Sequence, residues 1–244
     1  MEKIVKPTHY SVKELEIFID CPLKWYILKR EDRLYKPKEE EIKKAATFFL
    51  ARQMGDIKCR PSRIFKTIDE SLFVKNEYKK VKKQIIEFKK IFEVELLDIR
   101  CVELPFKIIL KNNVIIDGNI DVVRNTPYGP DIIIYNFDEE PDVDELTTNP
   151  YYLIYVMGFQ KIFKKDIHRL NIYNFPNNEL IDISRSTPKM LKQIDILKDN
   201  VSNMRNLDFN PKQSLKCNEC PIKSMCTNDY RKIEKEIEKY KNEQ

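Results

Sequence analysis

The spacing of apolar residues along this chain is helical in five stretches, where they recur every three or four positions among charged neighbours. The first stretch starts with Ser11 as an N-cap and Glu14 at capping-box distance. Cys21-Pro22 then divides it, because proline suits the first position of a new helix. The predicted helices cover residues 10–30, 36–53, 77–97, 149–165 and 187–206, and a last helix, charged on all sides, begins at about residue 229.

Between and after these helices the apolar period changes to two, which is typical of strands. Residues 101–110, 112–124 and 131–137 alternate in this way, and the turn sequence NTPYGP separates the second run from the third. We therefore expect a three-stranded meander, and two further strands over residues 167–175 and 179–185. This order of elements predicts an α/β fold with a central sheet.

Length and composition indicate a folded protein in a reducing compartment. With 244 residues, 42% of them hydrophobic, the chain is long enough for one large domain with a sizeable core. No apolar run approaches the ~20 residues that cross a membrane, and the N-terminal sequence MEKIVKPTHY lacks the apolar stretch of a secretion signal. We therefore expect a cytoplasmic protein with no membrane partner, whose six cysteines are available to bind metal.

Three cysteines near the C-terminus have a spacing that suits metal ligation. Cys217, Cys220 and Cys226 form C-x2-C-x5-C, in which the turn between the first two directs both sulfurs inward. A fourth ligand must come from elsewhere, and Cys21 is the best candidate because, like Cys220, it precedes a proline. Its competitors are Cys59 and Cys101. Four cysteine ligands suit zinc and iron–sulfur clusters alike, so the spacing leaves both open.

The charge of the chain suits a nucleic-acid partner without requiring one. Lys and Arg number 44 against 39 Asp and Glu, a formal net charge of +5. The lysine pairs on the outer face of the helix over 77–97 are more typical of a solvated surface than of a nucleic-acid contact.

Four features of the sequence resemble the iron–sulfur branch of the RecB-like PD-(D/E)XK nucleases. They are the early Cys-Pro pair, a hairpin with Gly-Asn-Ile-Asp, the strand and helix after it, and the late C-x2-C-x5-C. This branch includes the Cas-four-type CRISPR-associated exonucleases and the nuclease domain of AddB-type helicase-nucleases. The resemblance covers roughly residues 10–228.

The family pattern implies a restriction-endonuclease-like core in a single domain over residues 1–228, with a central mixed sheet flanked by helices. A helical insertion would occupy about 36–97, and 229–244 would be a charged C-terminal helix. It further implies that Cys21 and the three late cysteines hold a four-iron, four-sulfur cluster rather than zinc. That cluster would join the two ends of the chain, residues 10–30 and 209–228.

The active-site residues of the family match this chain only in part. The family's Gly…Ile-Asp strand motif matches Gly118–Asp121, so the resemblance implies Asp121 as the first carboxylate ligand of Mg²⁺ or Mn²⁺. The next strand of the family ends in Asp or Glu, one residue, and Lys, and here Asn136 and Asp138 stand at those positions. A neutral amide adds no negative charge to a metal site, and a carboxylate in place of the lysine opposes attack on phosphate. A two-residue shift of the acidic run 138–140 toward Asp121 would supply a replacement ligand.

Two other active-site positions of the family are also unmatched in this chain. The family carries a His on the helix before the hairpin, but residues 42–55 contain none, and the two histidines of the chain are His9 and His168. The helix after the sheet carries a Gln and, four residues later, a Tyr in the family. Here Tyr151 replaces the Gln, while Tyr155 matches.

Three functions follow as expectations. The leading one is a cluster-binding, nuclease-like protein with impaired catalysis that binds DNA, as single strands or ends, or supports proteins of DNA repair, recombination or CRISPR adaptation. The second is an active Mg²⁺- or Mn²⁺-dependent DNA exonuclease that uses Asp121 and a migrated acidic ligand. The third is a protein-interaction subunit that does not touch nucleic acid.

Overall fold

The computed structural model describes residues 8–34, 36–55, 60–94, 98–110, 113–184, 187–206, 208–214, 217–218, 220–228 and 230–243. The helices in these ranges are α1 (Val12–Asp20), α2 (Pro22–Arg30), α3 (Pro37–Met54), α4 (Pro61–Phe65), α5 (Lys75–Val94), α6 (Val143–Thr148), α7 (Tyr152–Phe163), α8 (Thr187–Arg205), α9 (Lys223–Asn228) and α10 (Tyr230–Glu243). The strands are β1 (Thr8–Ser11), β2 (Asp98–Ile109), β3 (Val114–Thr126), β4 (Gly129–Asn136), β5 (Arg169–Asn174) and β6 (Glu179–Asp182).

The strands form one mixed sheet in the order β1-β3-β4-β5-β6, with β2 also paired to β3. β3 and β4 are antiparallel and are joined by a tight turn, with Thr126 opposite Gly129. β4 and β5 are parallel, because α7 lies between them in the chain and allows the crossover that a parallel pair requires. β6 returns antiparallel to β5. The expected α/β fold with a mixed central sheet flanked by helices is confirmed at this level.

Local sequence rules explain how the first two helices form. The Ser11 side chain accepts a hydrogen bond from the Glu14 backbone, and the Glu14 carboxylate accepts one from the Ser11 backbone, as the capping-box spacing predicts. Cys21 ends α1 in an extended conformation, with φ of −159°, and Pro22 begins α2 as its first residue. The predicted break at this Cys-Pro pair is confirmed.

The chain divides into two compact units. The first contains Met1–Leu34, Ile109–Ile116 and Asp195–Gln244, and the second contains Tyr35–Ile108 and Asp117–Ile194. In the first unit, Trp25 is buried against the rings of Tyr10, Phe18 and Phe209, so that residues from both ends of the chain share one aromatic core.

The second unit has its core between the sheet and the apolar stripes of α3 and α5. Phe88 of α5 is fully buried, and its ring contacts Phe49 of α3 and Tyr135, Tyr173 and Phe175 of the sheet region. Burial of each such aromatic side chain stabilises the fold by roughly 1.5–3 kcal/mol. The segment over 36–97 that was expected as a helical insertion therefore supplies much of the core of this unit.

The predicted elements agree with the structure except for the C-terminal helix and several short segments. α10 was expected to be charged on all sides, but Ile233 is buried and Ile237 is partly buried. The two isoleucines are four residues apart, which places them on one face of a helix, so the expectation was wrong. The short elements β1, α4, α6 and α9 were not predicted, because runs of four to six residues carry too little periodicity.

Candidate functional site

The four candidate cluster ligands all belong to the first unit. Cys21 lies at the junction of α1 and α2, and Cys226 lies in α9. Cys217 and Cys220 precede α9 in successive tight turns, in which the backbone N–H of Cys220 donates to the Cys217 carbonyl over 3.4 Å. All four thiols are free and partly buried.

Electrostatic coupling indicates that these four thiols share one neighbourhood. The pKa of Cys226 is raised by burial first, and then by the charges of Cys21, Cys220 and Cys217. Cys21 is therefore within electrostatic range of a cysteine 205 positions later (226 − 21). The structure brings Cys21 into the neighbourhood of the late cysteines, which their spacing in the sequence could not establish.

The segment before the late cysteines also folds back onto the α1–α2 junction. The Lys212 ammonium donates to the carbonyl of Ile19 over 2.7 Å. Burial lowers the pKa of Lys212, and the negative charges of Cys21 and Asp20 act in the opposite direction. The backbone N–H of Ser214 donates to Cys217 Sγ over 3.4 Å, so a main-chain donor faces one of the sulfurs.

Four thiols are suitable ligands for an iron–sulfur cluster or a zinc ion, but the side chains of these four cysteines do not surround a common metal position. Among the described residues, no group of three or more His, Cys, Asp or Glu side chains is arranged so that it could hold a metal ion. The thiols are thus neighbours by their electrostatic coupling without being in ligation geometry. Ligating side chains can change rotamer when a metal binds, so the backbone positions of the four cysteines decide whether their thiols can meet.

Of the two competing cysteines, Cys101 is not part of this group. Cys101 lies in β2, in the second unit, and burial raises the pKa of its thiol while Arg100 lowers it, with no other thiol among the causes. Cys59 lies outside the described residues.

Asp121 is a buried carboxylate at the point where β3 and β4 stop pairing. The pairing of these strands runs from Thr126 opposite Gly129 to Val122 opposite Ile133. One residue beyond, Asp121 is 7% exposed, and its Oδ2 accepts a hydrogen bond from the backbone N–H of Tyr135 over 2.8 Å. The carboxylate therefore replaces a backbone carbonyl as the acceptor at the end of the ladder.

A lysine of α3 faces the other oxygen of this carboxylate. Lys43 Nζ lies 3.9 Å from Asp121 Oδ1. Burial raises the pKa of Asp121 above its ordinary value, Lys43 is the largest opposing influence, and the charges of Glu103 and Glu40 raise the pKa further. Two acidic residues and one lysine thus act on the buried carboxylate.

The backbone turns Glu103 out of the regular strand path. Its φ is 49°, the left-handed region that a non-glycine residue rarely adopts within a strand, and its carboxylate accepts a hydrogen bond from the Thr47 hydroxyl over 3.2 Å. Thr47 belongs to α3, the helix that also carries Glu40 and Lys43. Glu40 and Lys43 are three residues apart, so they occupy one face of this helix.

Asn136 and Asp138, at the two altered family positions, bind each other. The Asn136 amide donates to Asp138 Oδ2 over 3.0 Å and its oxygen accepts from the Asp138 backbone over 3.1 Å. The fully buried Asn174 of β5 donates to Asn136 Oδ1 over 2.7 Å and to the Asp138 carbonyl over 2.8 Å. Both ends of the Asn136 amide are occupied by this network, which ties the ends of β4 and β5 together.

Glu139, the next residue of the acidic run 138–140, has a partner on α5. Glu139 is exposed and pairs with Lys80 over 2.9 Å, which lowers the pKa of Glu139. The acidic charges that act on the pKa of Asp121 come instead from α3 and β2. The replacement acidic ligand was expected in residues 138–140, whereas the acidic side chains that act on Asp121 are Glu40 and Glu103.

Tyr155, the matching tyrosine of α7, packs on β2. Its ring lies 5.8 Å from the ring of Phe106 in an edge-on arrangement, and the ring of Tyr151 lies 6.3 Å from it. α7 approaches β2 closely at Gly158, where a Cβ would lie 2.5 Å from the ring of Phe106. The observed contacts of Tyr155 are thus those of a packed aromatic residue.

Sequence reasoning missed the residue that faces Asp121. The resemblance implied a His in residues 42–55, which contain none. The structure instead places Lys43, from the same segment, beside Asp121. The available signal was the three-residue spacing of Glu40 and Lys43, which places both on one face of α3. That spacing could not be connected with Asp121 before the helix had been positioned on the sheet.

Comparisons with known proteins name no family for this chain. No family model matches it, and no curated protein matches it. It is similar to a solved structure described as "Crystal structure of SSO0001", at 9% identity and a TM-score of 0.48, over 93% of this chain and 89% of that one. No helix in the described ranges is long and apolar enough to cross a membrane.

Proposed function

We propose that this protein is an iron–sulfur protein of the PD-(D/E)XK nuclease-like type that binds DNA and has little or no hydrolytic activity. The observation that carries the proposal is that Cys21 and the three late cysteines belong to one unit, in which Lys212 of the segment before Cys217 donates to the Ile19 carbonyl close to Cys21 and the pKa of Cys226 responds to the other three thiols. A shared ligand would account for four thiols from opposite ends of the chain lying in one neighbourhood.

Cys21, Cys217, Cys220 and Cys226 would hold the group. A four-iron, four-sulfur cluster supplies a covalent link between distant segments and a redox centre. The link would join the α1–α2 junction to the segment before α9 and add to the aromatic core around Trp25. A zinc ion would supply the same link without redox chemistry.

The surroundings of Asp121 support the loss of hydrolysis. Cleavage of a phosphodiester by a two-carboxylate site needs enough negative charge to hold Mg²⁺ or Mn²⁺ beside the scissile phosphate. Here the amide of Asn136 is occupied by its own network, and the ammonium of Lys43 faces the free oxygen of Asp121. A cation at that position repels a divalent metal, so we propose that Lys43 balances the buried charge in its place.

The cluster is tested by anaerobic purification followed by absorption spectroscopy and iron and zinc analysis. A broad visible band with about four irons per chain supports a four-iron cluster. A colourless protein with one zinc keeps the link but rejects the iron–sulfur assignment. Cys21→Ser should lose most of the metal, whereas Cys101→Ser, the matched control in the other unit, should retain it.

DNA binding and cleavage are tested on the same preparation with labelled single- and double-stranded oligonucleotides. We expect salt-dependent binding and no degradation in Mn²⁺. Absence of any binding would reject the DNA-binding part of the proposal and favour a protein-interaction subunit.

An active exonuclease is the second candidate, and the charges of Glu103 and Glu40 on Asp121 favour it. These glutamates would act as the migrated acidic ligands in place of residues 138–140. Mn²⁺-dependent degradation that Glu103→Gln and Asp121→Asn both abolish would establish this activity. Retained cleavage in Glu103→Gln would reject Glu103 as a ligand.

A further inference from the structure

A buried charged group lies near the turn of the β3–β4 hairpin. Asp131 of β4 is 1% exposed, and its Oδ2 accepts hydrogen bonds from Arg124 of β3, with Nε at 3.1 Å and Nη2 at 3.0 Å. His168 lies before β5, and its Nδ1 is 3.1 Å from Asp131 Oδ1. The buried carboxylate therefore holds an arginine on one oxygen and an imidazole on the other.

This arrangement fixes the orientation of the His168 ring. A carboxylate paired with Arg124 accepts hydrogen bonds, so Nδ1 of His168 is the donor in this pair. The backbone N–H of His168 donates to the Pro130 carbonyl over 2.7 Å, which fixes the main chain as well. The side chain nevertheless remains 29% exposed.

Tyr128, at the tip of the hairpin, extends this group into solvent. It is 81% exposed, and its ring lies 5.5 Å from the His168 ring with 32° between the planes. The turn is held by the Thr126 hydroxyl, which donates to the Gly129 carbonyl over 2.7 Å and accepts from the Tyr128 backbone over 3.3 Å. Gly129 has φ of +134°, and a Cβ there would lie 3.3 Å from His168 Cβ, so the ring pair depends on a glycine at this position.

We propose that Tyr128 and His168 form a stacking site for an unpaired nucleobase of a single-stranded nucleic acid. An exposed tyrosine on a rigid turn offers a π-face to any base, and His168 beside it offers a second ring and a fixed nitrogen. The inference rests on the proposed DNA binding and goes beyond it by naming the contact and the strandedness.

The charge around the ring pair suits a polyanion. The segment 164–169 that carries His168 contains Lys164, Lys165 and Arg169, of which Arg169 is paired with Asp182 over 3.5 Å. Its one acidic residue, Asp166, accepts a hydrogen bond from Gln160 over 2.8 Å. A nucleic-acid strand with a base on Tyr128 would therefore have basic side chains close along the chain for its phosphates.

The experiment measures the affinity of the full-length protein for a labelled single-stranded oligonucleotide by fluorescence anisotropy, in DNA and RNA versions of one sequence. Tyr128→Ala should weaken binding by about 5- to 100-fold, the range for loss of one base–aromatic stack, while Tyr128→Phe should bind nearly as the parent does. The slope of affinity against salt should be the same for Tyr128→Ala and the parent, because no charge is lost. A 2-aminopurine base in the oligonucleotide should be quenched on binding to the parent and less so with Tyr128→Ala.

His168→Phe keeps a ring beside Tyr128 but removes the nitrogen, and it should weaken binding less than Tyr128→Ala. Leu191→Ala, which removes another exposed apolar side chain, is the matched control and should leave affinity unchanged. Unchanged affinity and quenching in Tyr128→Ala would overturn the stacking site while leaving DNA binding intact. Failure of the parent to bind either oligonucleotide would instead overturn the proposed DNA binding, and the stacking site with it.

Discussion

Replacing Lys43 by methionine keeps the length of the side chain and removes the ammonium group that faces Asp121. Coulomb's law gives an attraction of about 4 kcal/mol for unit charges at the observed 3.9 Å with an effective dielectric constant of about 20. The lysine is 31% exposed, so water screens part of this attraction and the desolvation of the lysine offsets more. We therefore expect the free energy of unfolding to fall by about 2 kcal/mol, between the ~1 kcal/mol of exposed pairs and the ~3–5 kcal/mol of broken buried pairs.

A double-mutant cycle with Asp121→Asn separates this interaction from general packing losses. Asparagine can still accept the hydrogen bond from Tyr135, but it carries no charge for Lys43 to balance. In the Asp121→Asn background, Lys43→Met should therefore cost less than about 0.5 kcal/mol. The assay is urea denaturation followed by far-ultraviolet circular dichroism, with equal m values as the check that the unfolding reaction is the same.

The stability loss caused by Lys43→Met should change with pH in a definite direction. The folded-state pKa of Asp121 is raised, so the cost of its buried charge is present above that pKa and disappears as pH falls and the carboxyl is protonated. Lys43 lowers this pKa, so its removal raises the pKa of Asp121 further and makes the buried charge more costly wherever the carboxylate is ionised. The loss of stability in Lys43→Met should therefore be larger at pH 8 than at pH 5. Equal losses in both Asp121 backgrounds, or a Mn²⁺-induced stabilisation of the parent that Asp121→Asn removes, would refute Lys43 as the counter-ion.

Three further substitutions test the packing and hydrogen bonding around the candidate site. Burial raises the pKa of Tyr78 to about 12, so the parent should lose stability as pH rises from about 10 to about 12, and Tyr78→Phe should lack that part of the loss in alkaline denaturation. Gly158→Ala should lower stability by about 1–2 kcal/mol in urea denaturation, because its Cβ would meet the Phe106 ring at 2.5 Å and this overpacking exceeds the gain in helix propensity; an unchanged midpoint would show that the ring moves freely. Asn174→Ala should lower stability by about 1–3 kcal/mol, since it removes a fully buried amide that donates hydrogen bonds to Asn136 Oδ1 and to the Asp138 carbonyl, and a loss below about 0.5 kcal/mol would contradict a structural role for this network.

Local chemistry made most of the secondary structure predictable. The Ser11–Glu14 capping box, the proline after Cys21 and the change of period after residue 97 depend on neighbours within a few positions, and the structure follows them. The short elements were missed because four to six residues cannot show a period. The buried Ile233 of α10 was misjudged because two isoleucines were outweighed by the charge around them.

The sequence by itself determined which residue types were available for a site, namely the four cysteines, Asp121, and the amide and carboxylate of Asn136 and Asp138. Only the tertiary structure decided which of them meet. It brought Cys21 within electrostatic range of Cys226, set Lys43 against Asp121, and closed Asn136 into a network with Asn174, 38 positions away. Such pairings depend on how helices and strands far apart in sequence pack against each other, and that packing is set by the whole buried surface rather than by any local pattern.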